Sequence, residues 1–149
     1  ICSGAPAGPG FDGAAAVHTN MTNTRLTDPE ILEARFPVVV EEFSIRRGSG
    51  GRGRWSAGDG VRRVIRFREQ LDCAILSGNR KVAPFGVDSG CEGSLGRNGV
   101  RRASGLVEEL DSSVQLVVHP GDAIIIETPT GGGFGRAVDV AQPNESTPA

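Results

Sequence analysis

The chain has 149 residues, enough for one ordinary domain whose core buries roughly two-thirds of the unfolded surface. Its 22 Gly and 9 Pro exclude a helical bundle, because both residues penalise helix interiors, while 38% hydrophobic residues exclude a disordered chain. A net charge of −2 and a pI near 5.7 exclude bulk attraction to nucleic acid or an anionic membrane, although the basic residues are almost all Arg, with Lys81 the single lysine.

Residues 1–20 open as an irregular, Gly-rich approach (ICSGAPAGPGFDGAAAV) that runs into the polar HTNMTNTR. In Thr27-Asp28-Pro29-Glu30 a capping residue, a first-turn proline and an acid that can reach back predict a short helix carrying Ile31, Leu32 and Ala34. Phe36-Pro37 ends it. Strands follow. Val39, Phe43 and Ile45 are expected on one face of the first, with Glu42, Ser44 and Arg46 opposite. Val61, Ile65 and Phe67 alternate with Arg62, Arg66 and Arg68, and Leu71, Cys73 and Ile75 make the next. Residues 101–110 read as a hairpin turning at Ser104-Gly105. Val114, Leu116 and Val118 lead into the Pro120-Gly121 turn and the apolar run Ala123 to Ile126. The fold class expected is mainly β: five or six strands in an antiparallel sandwich or barrel-like sheet packing, one short helix and long Gly-rich loops. A single β-rich domain over 1–149 is expected, with residues 137–149 a flexible tail.

Gly48 to Gly53 satisfies G-x-G-x-x-G after a strand. A dinucleotide site needs a helix to start there, and Arg54-Trp55-Ser56-Ala57-Gly58-Asp59-Gly60 is more loop. No P-loop occurs. Arg46, Arg47, Arg52 and Arg54, followed by Arg62, Arg63, Arg66 and Arg68, sit among acids, so an ion-paired, solvated face is preferred over nucleic-acid binding. Cys2, Cys73 and Cys91 are widely spaced with only His18 and His119 as companions, which implies incidental thiols, no metal site and a reducing, cytoplasmic setting. No apolar run of membrane-spanning length and no secretory signal is present. No Ser/His/Asp order or G-x-S-x-G elbow appears, so no catalytic residue is assigned. Glu127 closes a buried strand; the stretch after it, Thr128 to Gly135, allows very close approach to a ligand, a partner subunit or the protein's own core.

Four blocks together resemble the C-terminal part of the hydantoinase B/oxoprolinase family: DGAAAVHTNMTNTRLTDPEILEARFPV, RRGSGGRGRWSAGDGVRRVIRF, APFGVDSGCEGSLGRN and HPGDAIIIETPTGGGFG. They run in order from about Ser3 to Gly135. Members are longer than this chain, so the resemblance, like the start at Ile1, implies a fragment. It also implies an A-type companion subunit that handles ATP, the remainder of the B-type subunit as a further partner, and a hetero-oligomeric complex. That complex would open cyclic amides such as hydantoin or 5-oxoproline with ATP; relatives carboxylate ketones. ATP and a divalent metal would belong to the complete complex, with no cofactor bound by this chain. Thr22, Asn23 and Arg25 match the family's M-T-N-T-R word, and Arg25 can bind a carboxylate by two parallel hydrogen bonds. With Gly131, Gly132 and Gly133 they are the candidate substrate-binding or interface residues. The chain departs from the family pattern at Asn20, where His is usual, at Ser56 and Ala57, where Arg and Gly are usual, and at Thr130, which replaces a Gly. A module that only mediates assembly is the alternative.

Overall fold

The computed structural model describes residues 1–18, 22 and 24–137. Asp28 caps the helix α1 (Pro29–Arg35) by accepting a hydrogen bond from the Glu30 amide, and Phe36, extended before Pro37, ends it. The strands are β1 (Val38–Ile45), β2 (Val61–Phe67), β3 (Leu71–Leu76), β4 (Arg97–Arg101), β5 (Val107–Leu110), β6 (Ser113–Val118) and β7 (Ala123–Glu127). Five of them form an antiparallel sheet in the order β1-β2-β7-β4-β5, and β3 pairs with β6 in a second, two-stranded sheet.

The alternation in β2 sets the layers. Val61, Ile65 and Phe67 face inwards; register carries the same face to Ile124 and Ile126 of β7 and to Val100 of β4. Against it lie Leu32 of α1 and the inner sides of the small sheet: Leu71, Cys73, Ile75, Leu116 and Val118. β7 reads as a continuous apolar run because it lies at the centre of the larger sheet, between β2 and β4.

Three sequence expectations are corrected. The described residues hold seven strands rather than five or six, because Arg97-Asn98-Gly99-Val100-Arg101 forms a strand with no apolar alternation to announce it. The hairpin itself turns at Gly105, with φ +90°, as expected. In β1 a bulge between Val40 and Glu42 shifts the register, so Phe43 and Ile45 share the inner face with Val38 and Val40, while Val39 joins Glu42 and Ser44. Arg63 lies on that inner face too, 8% exposed, and not with its neighbours Arg62 and Arg66.

The outer face is ion-paired. Arg62 bonds Glu42 (3.1 Å) and Glu127 (2.6 Å); Arg66 and Arg101 both reach Glu41, and Arg97 pairs with Glu109. The Arg101 guanidinium, with help from Arg66, holds the Glu41 carboxyl below the ordinary range. Pairs this exposed contribute at most about 1 kcal/mol each. Stability comes from the inner face: Phe67→Ala should lower the unfolding free energy by about 3 kcal/mol in a urea titration with little change in slope.

Candidate functional site

The Gly-rich loops gather at one end of the larger sheet and hydrogen-bond to one another. The Gly131 amide donates to the carbonyl of Gly4 (3.1 Å) and its own carbonyl accepts from the Gly51 amide (3.1 Å). Gly132 accepts from Ala7, and Gly133 donates to Cys91 and accepts from Val87. Phe134 pairs with Trp55 on one side and Val87 on the other, and the two rings lie 5.8 Å apart. The glycines are required by this crowding: a Cβ on Gly132 would fall 2.0 Å from the Phe85 carbonyl oxygen, and one on Gly133 would fall 2.2 Å from that of Arg52. What the stretch approaches so closely is therefore the protein's own backbone.

Polar side chains complete the knot. Thr130, at the position where a Gly was expected, donates its hydroxyl to the Ser49 carbonyl (2.7 Å) and accepts from the Ser94 amide (2.8 Å). The loop after β1 that carries the G-x-G-x-x-G spacing closes around Asp59, whose carboxylate accepts from the Gly48 and Gly50 amides at 3.1 and 2.9 Å. No helix follows it, so the amides that would cradle a phosphate are spent on an internal carboxylate. Burial pushes the Asp59 carboxyl up, but the amides of Gly50, Gly48 and Ser49 outweigh it and hold it below the ordinary value. Asp122 behaves alike: burial is outweighed by the His119 and Ala103 amides and Arg102.

Gly131 and Gly132 also line an open hollow of about 490 Å³. Pro6, Pro84, Phe85, Val87 and Pro129 make it largely apolar, and Phe85 stands 80% exposed at its edge. Ser3, Asn79 and Thr130 are its polar side chains; the Thr130 hydroxyl is already committed, and the Asn79 amide donates to the Val82 carbonyl. Among the described residues no carboxylate, imidazole, thiol or cation lines it. The hollow can hold an apolar or amide-bearing group and exclude water from one side of it, but it carries nothing to move a proton.

Of the other sequence candidates, Thr22 and Arg25 are exposed and do not line this hollow, and Asn23 lies outside the described residues, as do Asn20 and the 138–149 part of the tail. Gly133 is buried behind Gly132. Glu127 is occupied by Arg62 and Arg46. Sequence reasoning did not single out Pro6, Asn79 or Phe85; the only signal was an aromatic in the Pro-Phe-Gly word, which has no periodicity to interpret. Among the described residues no group of three His, Cys, Asp or Glu side chains is placed to hold a metal, and no helix is long and apolar enough to cross a membrane.

Gly132→Ala should cost about 3 kcal/mol or more, since backbone meets backbone, whereas Gly78→Ala, with open space around it, should change stability by less than about 0.5 kcal/mol; paired thermal and urea melts decide this. Because the Asp59 and Asp122 carboxyls are depressed in the folded state, their stabilisation is present above the ordinary carboxylate pKa and is lost as pH falls below about 4. Asp59→Asn should therefore show a smaller drop in Tm between pH 5 and pH 3 than the parent chain.

Residues 1–137 match the family model described as Hydantoinase B/oxoprolinase. The chain is 45% identical over 136 residues to a 5-oxoprolinase of Dictyostelium discoideum, a match that covers 91% of this chain and 11% of that one. It thus spans about one-tenth of the length of that relative. The fold is shared with the ATP-dependent caprolactamase from Pseudomonas jessenii, at a TM-score of 0.76 and 22% identity over 92% of this chain and 25% of that one. It is shared also with an acetone carboxylase in its nucleotide-free form, at a TM-score of 0.67 and 17% identity over 84% and 21%. The chain belongs to the hydantoinase B/oxoprolinase family.

Proposed function

We propose that this chain supplies one wall of a substrate pocket, and part of an interface, in an ATP-dependent hydrolase of cyclic amides such as 5-oxoproline or hydantoin. The observation that carries this reading is the Pro6–Phe85–Gly132 hollow: it has room for a small ring, apolar walls, and no carboxylate, imidazole, thiol or cation among the described residues that line it. The chemistry would then come from the remainder of a B-type subunit and from an A-type partner that handles ATP. With no phosphate-binding loop and no metal-donor cluster among the described residues, ATP and any divalent metal are assigned to those other parts. Arg25, exposed and close to Thr22 and Asn23 in sequence, is proposed to meet a substrate carboxylate once that assembly forms. Three free thiols fit a reducing, cytoplasmic setting.

Support comes from the family match and from the names of the relatives. A ketone carboxylase remains the second reading, because the fold is shared with one. The test is ATP-dependent ring opening of 5-oxoproline and hydantoin. The chain alone should give no turnover, and the assembly that contains it should turn over. In that assembly Phe85→Ala should raise KM about tenfold, the worth of one lost apolar contact face, with kcat changed less than about twofold. Turnover by the chain alone, or a KM indifferent to Phe85, contradicts the wall assignment; ATP-dependent carboxylation of acetone in place of ring opening selects the second reading.

A further inference from the structure

The inner face of the larger sheet changes character along its length. At the Val38–Phe67 end it is apolar and covered by α1 and the β3-β6 sheet. At the other end, Phe43 and Ile45 remain 45% and 43% exposed, and Arg63, opposite Phe43 in the ladder, is 8% exposed. The Arg63 guanidinium carbon lies 5.9 Å from the centre of the Phe43 ring, and its Nε has no hydrogen-bond partner among the described residues. Burial lowers its pKa, and the nearby Cys2 thiol only partly opposes this. The Ser3–Val17 bridge sets Cys2 opposite His18, both of whose ring nitrogens are likewise buried without a partner among the described residues. Buried donors are ordinarily satisfied, and a buried guanidinium N–H lacking an acceptor is among the costly exceptions.

The exposed apolar pair Phe43 and Ile45 beside such a cation has the arrangement of an interface anchor. We propose that this end of the sheet is a docking surface for a protein segment from outside the chain, one that presents a single Asp or Glu between apolar residues. Its apolar side chains would cover Phe43 and Ile45, extending the second layer beyond its two strands, and its carboxylate would accept from Arg63. Two observations favour a protein segment: the covering layer ends where the exposed apolar residues begin, and family relatives carry about nine-tenths of their length outside the matched region. The inference rests on the reading that the chain works inside a larger assembly, yet its test requires no turnover, so the two can fail separately.

The test titrates the ¹⁵N-labelled chain with the peptides acetyl-Leu-Val-Glu-Val-Leu-amide and acetyl-Leu-Val-Gln-Val-Leu-amide, and with sodium acetate, following the Arg63 Nε–H resonance. The glutamate peptide should bind about tenfold more tightly than the glutamine peptide, and Arg63→Met should bring the two within about twofold while the backbone spectrum stays folded. Equal affinities, no binding of either peptide to the parent chain, or a glutamate preference that survives Arg63→Met would overturn the proposal. Acetate moving Arg63 Nε–H at the same concentration as the glutamate peptide would also overturn it, marking a small-anion site instead.

Discussion

Everything at the Gly-rich end of this protein depends on one packing constraint: the backbone of Gly131 to Gly133 runs so close to Pro6, Phe85 and Arg52 that no Cβ fits between. Four chain segments meet there, the approach that includes Gly4 and Ala7, the loop after β1, the Val87–Cys91 loop and the stretch after β7. None is a regular strand, so each must find hydrogen-bond partners in another, and close approach lets nearly flat backbones do this as sheets do. The cost is the conformational freedom that glycine loses on folding. The return is a rigid wall made of loops, on which Phe85 and the neighbouring prolines can be held in place.

Charge is distributed to the same end. On the outer face the arginines are neutralised in place by Glu41, Glu42, Glu109 and Glu127, and such exposed pairs add little stability. Inside the Gly-rich knot Asp59, and at the β6–β7 turn Asp122, are carboxylates held by backbone amides. Among the described residues, the end of the sheet where the Arg63 Nε has no acceptor and the hollow that no carboxylate, imidazole, thiol or cation lines stand out as two unfinished surfaces. Both are what a part of a larger assembly would present, and neither would help a catalyst that works alone.

Much of this was legible in the sequence. The alternation of Val61, Ile65 and Phe67, the Asp28-Pro29 helix start and the Pro120-Gly121 turn are local signals, decided by contacts within a few residues. The bulge in β1 was not legible, because Val39, Phe43 and Ile45 satisfy simple alternation and only the pairing with β2 reveals an inserted residue. Arg63 was grouped with its arginine neighbours for the same reason: two successive arginines must point to opposite faces, and sequence does not say that the inward one will be left unpaired. The target of the glycines was hidden because their contacts are long-range; Thr130 meets Ser49 across 81 residues. Family resemblance found the words that matter, but geometry was needed to separate glycines serving the knot from those that also face open space.

The central claim, that this chain is a wall of a pocket completed elsewhere, is tested most directly by a structure of the full assembly with 5-oxoproline or a non-hydrolysable lactam bound. The account predicts ring atoms within about 4 Å of Phe85 and of the Gly132 backbone, with the acid, base and nucleotide groups contributed from outside residues 1–137. A ligand bound far from this hollow, with Phe85 buried against another domain, would contradict the claim and leave the chain an assembly module.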